Sequence, residues 1–317
     1  MTFLYNPPAE NFTMIELTFL GTGATKPFID RFTTSFALRY EGEVLLFDCG
    51  EGIQIRLAQS GFSPMKIDKI FVTHFHGDHV LGIPGILYTL AKNQRERPLH
   101  IYGPEGLREI FYHMKRSSYG RIPFEVVLHE LSPGDVVEGE SYTVRAFKVD
   151  HGERALGYVF KEADSWNVDR QKMEAHGLHP SPKFRLLKEG KTVEINGMVL
   201  KPEEWLIKVE GDSVAYTGDT AFSQQVISAV RGATVLVHES TYAEEDKEDF
   251  ELGHSSALDA AKVAKLAGVK KLFLIHFSQR YRDTAPLVEE ARQVFPETVA
   301  ARDLMKVVLK KGTVKVE

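Results

Sequence analysis

Residues 71–82, FVTHFHGDHVLG, place three histidines and one aspartate within six residues at the end of an apolar run. The apolar run predicts a buried strand, and the loop after it carries four polar residues: His74, His76, Asp78 and His79. Imidazole and carboxylate groups are ligands that zinc and similar divalent metals favour. The stretch therefore predicts a metal site at the edge of a sheet. It also restricts the fold to one in which other strand ends reach that edge.

A site for two metals about 3.5–4 Å apart needs about seven protein ligands, one of them a bridging carboxylate. Three further candidates each follow a strand-like run, namely His151, Asp219 and His276. A single histidine at a strand end more often caps the backbone or packs in the core. Seven candidate ligands, all histidine or aspartate and all at predicted strand ends, favour the metal site over that alternative.

The rest of the chain alternates short β-rich runs with helical patterns, which predicts an α/β fold. Strands are predicted at 15–21, 33–40, 43–50, 67–74, 99–103, 124–130, 142–149, 156–161, 213–219, 233–239 and 271–277. Helices are predicted at 51–61, 83–94, 104–116, 221–230, 255–267 and 284–295, and a hairpin at 304–316 turns at Lys311-Gly312. Two similar halves of this kind predict two packed sheets with helices outside.

Two segments fall outside this pattern. Residues 1–13 precede Met14 and the first strand, and we expect them to be an extension of a domain that spans 14–317. Residues 162–208 contain three prolines and few apolar runs, which predicts an arm inserted into that domain.

Composition limits the partners and the compartment. No apolar run approaches twenty residues, so we expect no membrane-spanning helix. The start lacks the pattern of a secretory signal, and the single cysteine, Cys49, rules out an internal disulfide, which fits a reducing cytoplasm. Since the net charge is −5, any binding of nucleic acid requires a local basic patch.

The H-x-H-x-D-H cluster with its three partners resembles the metallo-β-lactamase superfamily. The resemblance implies an αβ/βα four-layer sandwich around two Zn²⁺ ions. It implies that one zinc is held by His74, His76 and His151, that the other is held by Asp78, His79 and His276, and that Asp219 bridges them.

Five further stretches narrow the resemblance. They are FLGTGATKP with Arg31 (19–31), FDCGEG (47–52), HEST (238–241), GHSSA (253–257) and HFSQRY (276–281). Together they resemble the ribonuclease Z family over most of residues 15–309. The resemblance implies an endonuclease that removes the 3′ trailer from precursor tRNA, a homodimer, and an arm (the exosite) that grips the tRNA body. The chain departs from many relatives at Phe32, where they have asparagine, and at 181–184, where they have a Gly-Pro pair.

Cleavage that leaves a 3′-hydroxyl requires an attacking hydroxide, charge stabilisation and a proton for the leaving oxygen. Asp78 can orient the water, and His254, which starts a predicted helix, can donate the proton with Glu239 as its partner. The alternative is that His254 only begins the helix, with Ser255 as its cap, and that Glu239 is a buried hydrogen-bond acceptor. We expect Asp48 and Gly50 to shape the loop beneath the metals, and Cys49 to serve packing.

Basic residues supply candidate RNA contacts. Arg31 and Arg280 each follow a motif at the expected cleft, and a guanidinium suits phosphate recognition. The run KFRLLKEGK in the arm has one acidic residue and four basic ones: Lys183, Arg185, Lys188 and Lys191. The alternative for all of these is a solvated charge.

Three other functions remain open from the sequence. A phosphodiesterase for small diesters, or a ribonuclease of other specificity, would share every zinc ligand but would not need the arm. An oxygen reductase or thioesterase-like enzyme predicts a carboxylate in place of a histidine ligand or an iron-linked domain, and the sequence shows neither. A tRNA-binding protein without activity is disfavoured because no ligand is missing.

Overall fold

The computed structural model describes residues 14–117, 121–249 and 253–317. The expected extension, residues 1–13, lies outside them. No helix in these ranges is both long and apolar enough to cross a membrane. The described residues form two compact units, a larger one from 14–139, 143–161 and 212–317, and a smaller one from 140–142 and 162–211.

The larger unit contains two sheets. The first has eight strands: β1 (Ile15–Gly21), β2 (Ser35–Tyr40), β3 (Glu43–Phe47), β4 (Ile67–Phe71), β5 (Leu99–Gly103), β6 (Val126–Glu130), β18 (Lys306–Lys310) and β19 (Thr313–Val316). The second has seven: β7 (Val136–Glu138), β8 (Tyr142–Lys148), β9 (Leu156–Glu162), β14 (Ser213–Tyr216), β15 (Val235–Glu239), β16 (Lys271–Ile275) and β17 (Thr298–Ala300). Their strand orders are β19-β18-β1-β2-β3-β4-β5-β6 and β17-β16-β15-β14-β9-β8-β7.

Aromatic side chains join the two sheets face to face. Phe36 on β2 meets Tyr216 on β14 edge to face at 5.0 Å, and Phe71 on β4 meets Tyr158 on β9 at 5.3 Å. All four side chains are buried. Such rings bury large apolar areas and interlock in tilted geometries, which fixes the two sheets against each other.

Helices cover the outer faces of both sheets. Those of the larger unit are α1 (Ile53–Ser60), α2 (Gly77–Val80), α3 (Ile83–Lys92), α4 (Leu107–Ser117), α8 (Gln224–Ala229), α9 (Ala257–Ala267) and α10 (Ala285–Arg292). Leu57 of α1 and Leu90 of α3 pack in one apolar cluster with the first sheet. Val226 of α8 and Leu287 of α10 pack in another cluster with the second sheet. The layers run helix, sheet, sheet, helix, which confirms the predicted αβ/βα sandwich.

The parallel strands place the site. Strands β14, β15 and β16 run parallel, so their carboxyl ends lie at one edge of the second sheet. Strands β3 and β4 run parallel in the first sheet, and the chain turns after each. Because polar side chains collect where parallel strands end, this edge carries the residues that the sequence singled out.

The smaller unit has its own apolar core, which the sequence did not predict. Its elements are β10 (Ser165–Val168), α5 (Arg170–Ala175), α6 (Lys183–Lys188), β11 (Val193–Ile195), β12 (Met198–Leu200), α7 (Pro202–Trp205) and β13 (Leu206–Val209). Its buried residues are Leu178, Phe184, Leu187, Val193, Ile195, Leu200 and Trp205. No more than two of them lie on any one short element, so no long periodic apolar run predicts them.

Most predicted elements are present with shorter bounds. Gly61 ends α1 with φ of +80°, as expected of a left-handed helix cap. Lys311 and Gly312 both have positive φ at the turn of the terminal hairpin. The predicted strand at 67–74 ends earlier, at Phe71, so that His74 lies on the loop.

Candidate metal centre

The H-x-H-x-D-H stretch leaves β4 and forms the short helix α2, which the sequence did not predict. His76 is the residue before α2, and Asp78 and His79 lie within it. Two backbone hydrogen bonds join this turn to the loop after β3. Cys49 N donates to His79 O, and Gly82 N donates to Cys49 O, both at 2.8 Å. At Gly50 a Cβ would come within 2.7 Å of the Asp78 carbonyl oxygen, so only glycine allows this close approach.

Three imidazoles form the first group of candidate ligands. His76 Nδ1 lies 3.0 Å from His74 Nε2 and 3.2 Å from His151 Nε2. The separations let all three nitrogens face one point, since ligands of a zinc ion at about 2.0–2.1 Å are themselves about 3–3.5 Å apart.

A second group lies beside it. Asp78 Oδ2 is 3.3 Å from His276 Nε2 and 3.6 Å from His79 Nε2. These three residues come from α2 and from the end of β16, in opposite sheets. The sandwich therefore assembles this group from both of its halves.

Asp219 joins the two groups. Its Oδ2 is 3.6 Å from His74 Nε2 and 3.9 Å from His151 Nε2 on one side. On the other side it is 3.4 Å from His79 Nε2 and 3.3 Å from His276 Nε2. The structure thus brings together all seven side chains that the sequence singled out, with the carboxylate of Asp219 between them.

Outer hydrogen bonds fix the histidine tautomers. The Nδ1 atoms of His74, His79, His151 and His276 bond, respectively, to Thr73 Oγ1, Asp48 Oδ2, Gly253 O and Thr241 Oγ1, at 2.7–3.0 Å. Each Nε2 therefore turns a lone pair toward the shared centre. This arrangement is the one that metal-bound histidines use.

The buried polar atoms fit a divalent metal. His79 Nε2 and Asp219 Oδ1 are buried without a hydrogen-bond partner in the described structure, and such orphaned atoms are rare unless an ion or water satisfies them. Burial lowers the pKa of His79, but the carboxylates of Asp219 and Asp48 on either side raise it well above its usual value. The two carboxylates thus favour positive charge at the His79 imidazole.

Asp48 supports the centre from beneath, as the loop prediction for this residue suggested. It has a left-handed backbone with φ of +57° and is buried. Besides binding His79, it accepts hydrogen bonds from Thr73 N at 2.8 Å and from Tyr216 Oη at 2.5 Å. Sequence reasoning missed Tyr216, because a tyrosine in an apolar strand gives no signal beyond packing.

His254 and Glu239 meet as expected. His254 Nδ1 lies 2.9 Å from Glu239 Oε1 and 4.0 Å from Asp219 Oδ2. Burial lowers the pKa of His254, but the Glu239 carboxylate outweighs it and raises that pKa to about 9. The imidazole is therefore held as a cation beside the candidate ligands.

Glu239 has further partners, which sequence reasoning did not identify. Its carboxylate accepts hydrogen bonds from Thr220 N at 2.8 Å and from the hydroxyl of Thr241 at 2.6 Å. Thr241 in turn contacts His276, so one carboxylate positions both His254 and a candidate ligand. The HEST stretch contained this signal, since Thr241 is its last residue.

The helix cap is not the one considered from the sequence. Ser256, rather than Ser255, is the N-cap of α9, and it forms a capping box with Asp259. The hydroxyl of Ser255 instead donates to Thr220 O at 2.6 Å. His254 lies two residues before the cap and takes no part in it.

The two candidate RNA-binding arginines are engaged with protein groups. Arg31 Nη1 donates to Tyr281 O at 3.1 Å, and its guanidinium lies over the ring of Phe277. Arg280 forms an ion pair with Asp246 at 3.4 Å.

Within the smaller unit, the four predicted arm cations also have partners. Lys183 Nζ donates to Glu194 O at 2.6 Å, and Lys188 Nζ donates to Asn167 Oδ1 at 3.1 Å. Arg185 and Lys191 both pair with Glu189. The side chains of Arg185 and Lys191 remain 73% and 63% exposed, so their attraction for solvent anions persists.

Comparison with known proteins places this site in a family. Residues 44–277 match a family model described as a beta-lactamase superfamily domain. Ribonuclease Z of Methanothermobacter thermautotrophicus is 45% identical over 94% of this chain and 97% of its own length. Ribonuclease Z of Pyrococcus horikoshii is 40% identical over 93% of this chain and 96% of its own length.

A solved structure agrees with the sequence relatives. The short form of human tRNase Z superposes with a TM-score of 0.66 and 28% identity, covering 92% of this chain and 98% of that chain. Identity of this level over nearly the whole length of both proteins shows common descent. The chain belongs to the ribonuclease Z family of the metallo-β-lactamase superfamily.

Proposed function

We propose that this chain is a zinc-dependent endoribonuclease that removes the 3′ trailer from precursor tRNA and leaves a 3′-hydroxyl. One observation carries the proposal: seven candidate ligand side chains, Asp219 among them, converge beside the pair formed by Glu239 and His254. The chain is a hydrolase of the nuclease class by its membership of the family. The choice of precursor tRNA as substrate follows the relatives.

Two zinc ions fit the two groups of ligands. His74, His76 and His151 would hold one, Asp78, His79 and His276 would hold the other, and Asp219 would bridge them. When bound, the ions lower the pKa of a water molecule and stabilise negative charge on the phosphate.

The protein's own residues do the rest of the chemistry. The Asp78 carboxylate, which lies among the candidate ligands, orients the attacking water. The His254 imidazolium faces the reacting phosphate, neutralises charge there and donates a proton to the leaving 3′-oxygen. Glu239 keeps this imidazole charged and oriented through its 2.9 Å contact with Nδ1.

RNA binding is proposed for both units, each through its own cations. The exposed guanidinium of Arg185 and the ammonium of Lys191 offer phosphate contacts in the arm, with Lys183 and Lys188 nearby on α6. In the larger unit, Arg31 has further N–H groups beyond the one bound to Tyr281 O. Arg280 is 49% exposed despite its ion pair.

The mapped cut on a precursor tRNA tests the proposal directly. The purified, zinc-loaded protein is incubated with a 5′-labelled precursor tRNA, and the product is sized against a ladder. We expect one cut next to the 3′ end of the acceptor stem, with a 3′-hydroxyl that poly(A) polymerase can extend. Turnover of a small phosphodiester without cleavage of precursor tRNA would instead favour the small-diester phosphodiesterase.

A homodimer in the cytoplasm is part of the proposal. A reducing compartment is consistent with the lone buried Cys49, which cannot form an internal disulfide. The dimer is supported by three exposed apolar side chains: Ile55 on α1, Leu81 directly after α2, and Tyr88 on α3. Helices α1 and α3 pack together, since Gln54 Nε2 donates to Gly85 O. Exposed apolar groups of this kind are typical of protein interfaces.

Light scattering during gel filtration measures the oligomer. We expect twice the chain mass of 35.7 kDa for the parent and a shift to the monomer for Leu81→Glu. Leu266→Glu is the matched control, because Leu266 on α9 is as exposed as Leu81, at 56% against 57%. A parent that elutes as a monomer would contradict the dimer.

A further inference from the structure

The loop from Thr22 to Phe32 contains a strained residue next to a candidate ligand. Thr25 has φ of +62°, a left-handed conformation that β-branched residues rarely adopt. Its backbone N–H donates to Asp78 Oδ2 at 2.7 Å. Strained backbone of this kind persists only where surrounding contacts impose it, and it gathers at functional sites.

Asp303 holds both ends of the loop. Its Oδ1 accepts the hydroxyl of Thr22 at 2.8 Å, and its Oδ2 accepts Phe32 N at 2.8 Å. The side chain is only 6% exposed and also pairs with Arg56 Nη2 at 3.0 Å. One buried carboxylate therefore closes the loop at its base.

Phe32 completes the closure. The guanidinium of Arg56 lies 4.2 Å from the centre of its ring. A Cβ at Gly52 would come within 2.4 Å of the same ring, so the ring fills the space above that glycine. Arg56 thus connects the ring at the loop's end to Asp303.

The middle of the loop is joined to the segment after His276. Ala24 N donates to Phe277 O, and Phe277 N donates to Thr22 O, at 3.1 and 3.0 Å. Gln279 Nε2 donates to Lys26 O at 3.1 Å. The loop is consequently held against two candidate ligands, Asp78 directly and His276 through its neighbour.

We propose that Asp303 is a positioning residue for the second group of candidate ligands, Asp78, His79 and His276. It holds the Thr22–Phe32 loop so that the Thr25 amide orients the Asp78 carboxylate. The inference rests on the proposed function for the assignment of Asp78 as a ligand. Groups that hold a ligand from outside commonly change metal affinity or activity by about 10–100-fold when they are removed.

Asp303→Asn tests the inference in the zinc-loaded protein. The amide keeps the volume of the side chain but removes the negative charge that pairs with Arg56, so the loop ends are held by weaker, neutral hydrogen bonds. We expect the 22–32 segment to lose amide-exchange protection, and zinc transfer to a chromogenic chelator to become about 10–100-fold faster. We expect kcat on a small chromogenic phosphodiester to fall by a similar factor.

Asp135→Asn is the matched control, because Asp135 also accepts a backbone N–H, that of Ser132, but on an exposed turn. It should behave as the parent in all three measurements. If Asp303→Asn frees the loop while zinc transfer and kcat stay unchanged, the positioning role is overturned. If zinc transfer quickens in a protein that does not cleave precursor tRNA, the positioning role stands and the proposed function fails.

Thr22→Val keeps the test usable should Asp303→Asn fail to fold. It removes only the hydroxyl that Asp303 Oδ1 accepts and preserves the shape of the buried side chain. A smaller increase in the rate of zinc transfer supports the inference, and an unchanged rate despite a freed loop overturns it.

Discussion

At the scale of single residues, one carboxylate oxygen organises the site. Asp219 Oδ2 lies 3.3–3.9 Å from four imidazole nitrogens, and Asp219 is almost fully buried. Burial raises the pKa of Asp219, but His276 and His79 lower it well below its usual value, so the carboxylate stays ionised. An ionised, buried carboxylate among histidines is suited to bridge two cations.

We expect Asp219→Ala to lose most of the bound zinc, because both groups share this residue. The parent should hold two zinc ions per chain after chelation, reloading and desalting, as measured by atomic emission. Asp212→Ala serves as the control, since Asp212 is also buried but binds Thr234 and Gly312. Equal zinc content in the Asp219→Ala variant and the parent would exclude the bridge.

His254→Ala should keep both zinc and fold yet slow the cleavage of precursor tRNA by about 10²–10⁴-fold, the usual loss for a general acid. Single-turnover rates at saturating enzyme measure the chemical step. His113→Ala removes an exposed histidine of α4 as the matched control. A His254→Ala variant as fast as the parent would assign His254 a structural role.

At the scale of elements, the smaller unit combines a core with surface cations. Six of its seven buried apolar residues lie on helices and strands of only three to six residues, and Leu178 lies on a loop. Elements this short cannot be stable alone. The unit therefore depends on packing among them. Leu187, fully buried at the end of α6, lies close to the cations of that helix.

We expect Leu187→Ala to destabilise the smaller unit by about 2–5 kcal/mol, the usual cost of a buried leucine cavity. Amide exchange should quicken across 162–211 and stay unchanged in β14–β16. Leu186→Ala is the control, because Leu186 is 40% exposed on the same helix. Identical exchange in the two variants would mean that Leu187 packs less tightly than the structure shows.

Neutralising Lys183, Arg185, Lys188 and Lys191 to glutamine should weaken binding of precursor tRNA. A plot of the logarithm of the association constant against the logarithm of the salt concentration should become less steep by up to about 3 in slope, since each phosphate contact contributes about 0.7–0.9. Turnover of a small chromogenic diester should hardly change. A control that removes four exposed charges of the larger unit, at Arg231, Lys265, Lys270 and Lys315, should leave the slope unaltered. Equal loss on both substrates would indicate misfolding instead.

At the scale of the whole molecule, the site joins the two sheets. Its ligands come from loops after β4 and β8 and from the ends of β14 and β16, so bound metal would link elements far apart in the chain. A ligand that binds only the folded state stabilises it by mass action.

Removing metal with a chelator should therefore lower Tm and abolish cleavage of both precursor tRNA and small diesters. Adding zinc back should restore both, because the ligands are held by hydrogen bonds of their own. Differential scanning calorimetry and both activity assays check this in parallel. Full activity in a protein freed of transition metal would exclude the metal mechanism.

Sequence patterns alone predict the class of fold and the set of candidate ligands. Apolar periodicity identifies strands and helices because the buried face of each element repeats along the chain. The buried residues recur at every second position in a strand and at every third or fourth position in a helix. Histidine and aspartate at strand ends could be recognised for the same reason. The family motifs added the pairing of Glu239 with His254, which the structure places at 2.9 Å.

How the ligands are held depends on contacts that form only in the folded chain. The hydrogen bonds of Asp48 with Tyr216 and of Asp303 with Thr22 join residues that lie more than 160 positions apart along the chain. Such contacts leave no periodic trace, because each needs only one polar group at the right place in space. The core of the smaller unit went unpredicted for a related reason: its apolar residues become a cluster only after several short elements have packed together.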